Sequence, residues 1–175
     1  WKILLELPPV ERVDRNLVCD SNIVGEQGIT ALGADALINN RDGFANTAVG
    51  YQSQFSNQNG SYNTSEGAKS LFNNIDGSAN VAVGYESVYS SCCAQRLTGV
   101  GHQTLYQDQC GIDNSAFGYQ SLYLNVDGNR NTAGGVWSSR DNINADNNSA
   151  FGYKSLLLNQ EGSRNVSVGA YALED

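Results

Sequence analysis

The chain has 175 residues, enough for one domain, with 19 Gly, one His, no Met and charged residues at only 16%. A net charge of −8 without a Lys/Arg cluster argues against nucleic-acid binding, because an acidic surface repels phosphate backbones. No apolar run approaches the roughly 18 residues that a membrane span needs. The start at Trp1 fits a processed product, which leaves a removed signal peptide open.

Residues 1–29 precede the regular part of the chain. Trp1, Ile3, Leu4, Leu5 and Leu7 form an apolar segment that Pro8-Pro9 stops, since proline continues neither a helix nor a central strand. Such a segment either caps the first turn of a repeat stack or adds as a strand to a neighbouring copy, so these five residues are candidates for assembly. Residues 14–29 are a degenerate repeat in which Asn16 stands where glycine recurs later. Atypical terminal units are the rule in stacked repeats, because the end must be covered.

Over residues 30–175 the register is strict. Gly33, Gly50, Gly67, Gly84, Gly101, Gly118, Gly135, Gly152 and Gly169 follow one another at steps of 17 residues. We number the slots of each unit from the residue after the recurrent Asn, so that Thr30 is slot 1 and Gly33 is slot 4. Slot 3 (Leu32, Val49, Val83, Val100, Phe117 and their equivalents) and slot 8 (Leu37, Leu71, Val88, Leu105, Leu122 and theirs) read as two core columns. Slot 7 is always Ser, Thr or Ala. Slot 14 is mostly Gly and slot 17 mostly Asn.

A unit this short cannot hold a helix pair, and slots 1–3 and 8–10 favour β-branched, aromatic and other apolar residues. The pattern therefore predicts an all-β fold, a parallel β-solenoid or β-roll of nine 17-residue repeats with two short strands per rung. Glycine in slot 4 marks a bulge or close backbone approach. Asn and Gly over slots 11–17 supply the turn, and Asn in register can pair with Asn above and below. At about 4.8 Å per rung the array is about 40 Å long.

Two units depart from the pattern. The fourth reads Cys92-Cys93-Ala94-Gln95-Arg96-Leu97 over slots 12–17 and loses both Gly and Asn. The seventh has Gly134 and Ser139 in the expected core slots. There Trp137 either fills the volume that Gly134 leaves or centres a binding notch. Four cysteines are present, Cys19, Cys92, Cys93 and Cys110. Cys93 and Cys110 share slot 13 of adjacent units, and a rung spacing of about 4.8 Å lies inside the Cα window for a disulfide. The alternative is that all four are reduced and buried. A bridge would point to an oxidising, extracellular setting.

The Asn-Thr/Ser-Ala-Val/Phe-Gly-Tyr-Gln-Ser signature, as in Asn46–Ser53 and Asn114–Ser121, resembles the head repeats of trimeric autotransporter adhesins. It is more similar still to the Asn-Thr-Ala-x-Gly-Tyr-Gln-Ala-Leu repeats of phage tail-fibre-like and bacterial surface proteins. The resemblance implies a left-handed parallel β-roll, three chains packed side by side, and binding to extracellular matrix or host surfaces. This chain departs from the adhesin heads in its longer step and shows neither a coiled-coil stalk nor a membrane anchor.

Chemistry-bearing residues are few. His102 takes slot 5, where Tyr51, Tyr85, Tyr119 and Tyr153 sit in other units, and reads as a substituted ladder position rather than a catalytic base. No His/Cys group has zinc spacing, and the adjacent Cys92-Cys93 do not make one. The slot-13 acids Asp42, Asp76, Asp127 and Glu161 are interrupted, so a solvated turn is expected there rather than a calcium site. The slot-5 tyrosines, with Phe55, Phe72, Tyr89, Tyr106 and Tyr123 in slot 9, form aromatic columns. Facing inward they are core; facing outward they mark a subunit interface or a glycan-stacking surface. Asn59, Asn63, Asn147 and Asn165 head N-glycosylation sequons.

The expectation is a non-enzymatic protein without cofactor, outside the cell or on a cell or virion surface. It serves as a structural fibre subunit that self-assembles, as filament or trimer, through the solenoid and the arm of residues 1–29. The alternative is an adhesin or tail-fibre head recognising a glycan or matrix ligand through the tyrosine column. A third class, ice binding by a Thr-bearing face, is disfavoured because Val81, Ser115, Ser149 and Val166 interrupt slot 1.

Overall fold

A computed structural model describes residues 28–174, so the apolar segment Trp1, Ile3, Leu4, Leu5 and Leu7 lies outside the described residues. The described chain is a β-solenoid. Nine three-residue strands form one parallel sheet in sequence order: β1 (Thr30–Leu32), β2 (Thr47–Val49), β3 (Thr64–Glu66), β4 (Val81–Val83), β5 (Thr98–Val100), β6 (Ser115–Phe117), β7 (Thr132–Gly134), β8 (Ser149–Phe151) and β9 (Val166–Val168). Every pairing matches a slot to the same slot one unit on, from Thr30 against Thr47 to Phe151 against Val168.

Each rung carries one strand, not two. Slots 8–10 were expected to be the second, but every residue of slots 6 and 8 has positive φ, from Asp35 (58°) and Leu37 (51°) to Tyr171 (58°) and Leu173 (49°). Alternating left-handed residues cannot make a strand. They do keep the amides aimed along the stack. The Leu71 N–H donates to Ser87 O at 3.0 Å, Val88 to Thr104 O at 2.8 Å, and Ser56 to Phe72 O at 2.9 Å. This side is a hydrogen-bonded ladder of turns, which meets the backbone's bonding requirement without strand geometry.

The core differs from the sequence expectation at slot 3. A three-residue strand turns only its middle residue to one face, and that residue is slot 2: Ala48, Ala82, Ala116, Ala133 and Ala150 are fully buried. Slot 3 faces out, with Phe117 and Phe151 each 45% exposed. The interior is too narrow for Val or Phe beside the slot-8 column, so alanine takes the inward place. Slot 8 is core as expected, with Leu71, Val88, Leu105 and Leu122 at 0% exposure. Gly99 shows how tight the interior is. A Cβ there would lie 2.7 Å from both Ser87 Oγ and Val88 Cγ2 and 3.0 Å from Thr104 Oγ1. Glycine in slot 2 of this rung therefore leaves room for Ser87 and Val88 of the preceding rung as well as for Thr104 of its own.

Polar ladders fill the rest. The slot-17 asparagines from Asn46 to Asn148 are buried and tie rungs together: Asn63 Nδ2 donates to Gly77 O at 2.9 Å, and Asn63 Oδ1 accepts from Asn80 N at 3.0 Å. Slot-11 asparagines pair with one another, Asn74 Nδ2 donating to Asn57 Oδ1 at 2.8 Å and Asn142 Nδ2 to Asn125 Oδ1 at 2.8 Å. Slot-7 hydroxyls donate to slot-2 carbonyls, as Ser138 Oγ does to Ala150 O at 3.0 Å. The irregular fourth unit obeys the same packing. Leu97 replaces an asparagine and is fully buried, while Ser91 in slot 11 leaves the room that Ala94 takes in slot 14. Ala145 shares its rung with Asn142, and nothing in the structure explains why glycine is dispensable there.

One carboxylate sits in the slot-11 ladder. Asp108 is buried and accepts from Gly111 N (2.7 Å), Asn114 Nδ2 (2.9 Å) and Asn125 Nδ2 (2.9 Å). Burial pushes its pKa up from 3.8 to about 7 despite those three donors.

Three outcomes follow from this packing. The slot-4 Gly118 has φ 117°, and a Cβ there would lie 2.8 Å from Gly135 O; Gly118→Ala should cost about 3 kcal/mol or more, read as a lowered urea midpoint. The exposed Ala79 has φ 59°; Ala79→Gly should raise stability by about 0.5–1 kcal/mol in the same assay. Because the folded pKa of Asp108 lies above its unfolded one, the native chain keeps a proton that the unfolded chain has released between pH of about 4 and 7. The stability contributed by Asp108 should thus be full below that window and fall by on the order of 4 kcal/mol as pH rises through it, and Asp108→Asn should flatten this dependence.

Candidate functional site

The solenoid presents an outer sheet face made by slots 1, 3 and 5. In β1 to β9, alternation sends slots 1 and 3 outward together. Slot 1 contributes mainly Thr and Ser, and slot 3 a row of Leu32, Val49, Val83, Val100, Phe117, Phe151 and Val168, broken by Glu66 and Gly134. Gly134 is therefore not a lost core residue. The Phe151 ring lies over it, since a Cβ on Gly134 would come within 2.8 Å of Phe151 Cδ1. Trp137 does not fill that space.

Beside this row runs an aromatic column. Tyr51, Tyr85, Tyr119 and Tyr153 all point outward, with Tyr51 51% exposed, which decides their orientation. From the fourth unit on, the rings are continuous: Tyr85 to His102 and His102 to Tyr119 at 5.2 Å, Tyr119 to Trp137 at 6.2 Å, Trp137 to Tyr153 at 5.8 Å, and Tyr153 to Tyr171 at 5.2 Å. Trp137 and Tyr171 enter from slot 6, in the units where slot 5 holds Val136 and Ala170. Reading slot 5 alone missed them; the signal was the shift of the aromatic by one position in the rungs that lack a slot-5 ring. Trp137 Nε1 donates to Gln120 Oε1 at 2.9 Å, and the Lys154 ammonium lies 5.7 Å from the Trp137 ring and 5.4 Å from that of Tyr171. A hydrogen bond to Glu86 raises the pKa of the Tyr85 phenol. His102 is sandwiched between two tyrosines in this column.

The slot-9 rings behave differently. Phe55, Phe72, Tyr89, Tyr106 and Tyr123 stack at 5.0–5.1 Å with interplanar angles of 2–9°, half-buried at a corner of the rung. Ring faces so stacked are spent on one another, which leaves edges for a ligand. Burial, the largest cause, raises the pKa of Tyr106. The column ends where Arg140 takes slot 9 and pairs with Asp141 at 2.8 Å.

The remaining candidates scatter. Cys93 and Cys110 are disulfide-bonded, with Cα atoms 5.0 Å apart. Cys92 is partly exposed, and its Sγ lies 3.6 Å from that of Cys93. Asn59 and Asn147 are exposed and Asn165 half-buried. Asn63 is different: its amide is fully enclosed in the slot-17 ladder, so a glycan there is incompatible with this fold. The slot-13 acids stand on the surface apart from one another; Asp76 accepts instead from Asn59 Nδ2 at 2.6 Å. A shallow depression on another side is lined by Arg96, Ile112, Asp113, Asn129 and Arg130. Within it Arg96 and Asp113 pair, and the hydrogen bond between them raises the guanidinium pKa and lowers that of the carboxyl.

Comparison of the chain with family models, curated proteins and solved structures yields no match.

Proposed function

We propose that the chain is a rod-like structural subunit of an extracellular fibre, packed laterally against copies of itself through the outer sheet face. The observation that carries this reading is the exposed slot-3 row. Apolar side chains stand in line on a regular sheet, including Phe117 and Phe151, and a contiguous apolar strip of this kind marks an interaction surface rather than free protein surface. Rows repeating at one rung spacing on both copies would match in step, which suits contact with a second copy. The disulfide supports an extracellular setting. The apolar segment of residues 1–29 would reinforce the same assembly.

The outward aromatic column from Tyr85 to Tyr171 favours a second reading, an adhesin-like head that stacks a glycan on Tyr119, Trp137 and Tyr153. The two readings separate in one experiment. Sedimentation velocity over a wide concentration range should show oligomers or filaments for the unmodified chain and monomers for Phe117→Asp/Phe151→Asp. An unmodified chain that stays monomeric throughout would overturn the fibre reading. A glycan-array signal that Trp137→Ala abolishes and the double variant keeps would establish the second.

A further inference from the structure

Cys92 and Cys93 are neighbours in the chain, and Cys110 comes to them because one rung is 17 residues. The three sulfurs all lie within 4.8 Å of one another. Adjacent cysteines alone do not make a metal site; the third ligand comes from the next rung, where no linear spacing shows it. We propose that in the reduced chain Cys92, Cys93 and Cys110 bind one thiophilic divalent cation of the zinc class, in place of the Cys93–Cys110 cross-link.

The geometry fits such an ion. Thiolates at about 2.3 Å from a tetrahedral centre stand roughly 3.8 Å apart, and Cys92 Sγ already lies 3.6 Å from Cys93 Sγ. The Gln109 carbonyl oxygen is 3.6 Å from Cys92 Sγ and 3.4 Å from Cys93 Sγ, an oxygen donor beside two of the three sulfurs. Cys92 and Cys93 are partly exposed and Cys110 is exposed, so an ion has access. Slot 13 holds Asp76 one rung before Cys93 and Asp127 one rung after Cys110. Their negative charge favours a dication over an anionic or neutral occupant.

The cross-link and the ion compete for the same sulfurs. Going from one to the other, the disulfide takes two electrons and two protons from a dithiol, which is itself oxidised to a disulfide. The cation then displaces the three thiol protons. Neither change needs the backbone to move far, because the two rungs are already joined by the ladder on either side. The Cys93 N–H donates to Gln109 O at 3.2 Å and Gln95 N–H to Gly111 O at 3.2 Å.

The test uses the chain with Cys19→Ser, reduced with a phosphine under nitrogen and titrated with Cd²⁺ at neutral pH. Binding is read from the ultraviolet thiolate-to-cadmium charge-transfer band. The expected result is saturation at one equivalent, displacement by excess Zn²⁺, no band before reduction, and at least tenfold weaker binding after Cys92→Ser. A reduced chain without the band would overturn the proposal, as would a Cys92→Ser variant that titrates like its parent. Circular dichroism before metal addition should show the solenoid intact. Its loss on reduction alone would also overturn the proposal, since the site exists only with two rungs in register.

Discussion

Among the described residues, each slot of this solenoid stacks on the same slot of the rungs above and below. The nine strands pair without a single shift of register, so slot 1 touches slot 1 and slot 11 touches slot 11 throughout. A residue type is admissible only if it is compatible with itself, or if its two neighbours in the column are changed to suit it. Amides qualify because each carries donor and acceptor. Aromatic rings qualify by stacking, small residues by leaving room, and cysteine by bonding. Charges do not, which accounts for a chain with only 16% charged residues. Where charges occur, the column alternates: Arg96, Asp113 and Arg130 follow one another in slot 16, and Asn59 stands between Asp42 and Asp76 in slot 13.

The same constraint explains why so little hydrocarbon suffices. Most rungs bury one Leu or Val in slot 8 and a small residue, usually Ala, in slot 2, with buried Asn and Ser taking the rest of the volume. Buried polar groups are costly when unpaired and acceptable when every donor and acceptor is matched. Register supplies that match once and repeats it. Exceptions are few among the described residues: Gln54 Oε1 and Ser139 Oγ have no partner, and both sit in slot 8, where an apolar side chain is the rule. Asp108 is tolerated because the site asks it only to accept. The slot-11 residue one rung before it is Ser91, so no asparagine there waits for a donated N–H.

Much of this was legible in the sequence, and the reasons for the rest are specific. The 17-residue step, the slot-4 glycines, the slot-8 core and the Cys93–Cys110 pairing all follow from periodicity, because periodicity is what stacking reads. The inward residue of the strand was misassigned, because Val and Phe are better hydrophobes than Ala and the width of the interior is not written in any one unit. The second strand was not there, since left-handed φ at residues such as Val88 and Leu105 contradicts their intrinsic preference and is imposed by the closing of the rung. Within its own unit Trp137 reads as either a filler or the centre of a notch, whereas its surroundings come from the rings of Tyr119 and Tyr153 in the adjacent units. The three-sulfur cluster escapes a search for linear ligand spacing for the same reason: its third member is adjacent only across a rung.

Interior slots are thus dictated by self-contact, and information about partners can reside only in slots that face out. Among these, slot 1 and slot 3 lie on the same strand and the same face, and both need β-propensity. Slot 1 meets that need largely with Thr and Ser, which are compatible with water. Slot 3 meets it with Leu, Val or Phe in seven of nine units, although nothing in the rung packs against those side chains from outside. Propensity would be served equally well by threonine in both columns. The apolar character of slot 3 is therefore in excess of what folding demands. Excess apolar surface, aligned over most of the array and flanked by an aromatic column, is what the proposed lateral packing would cover.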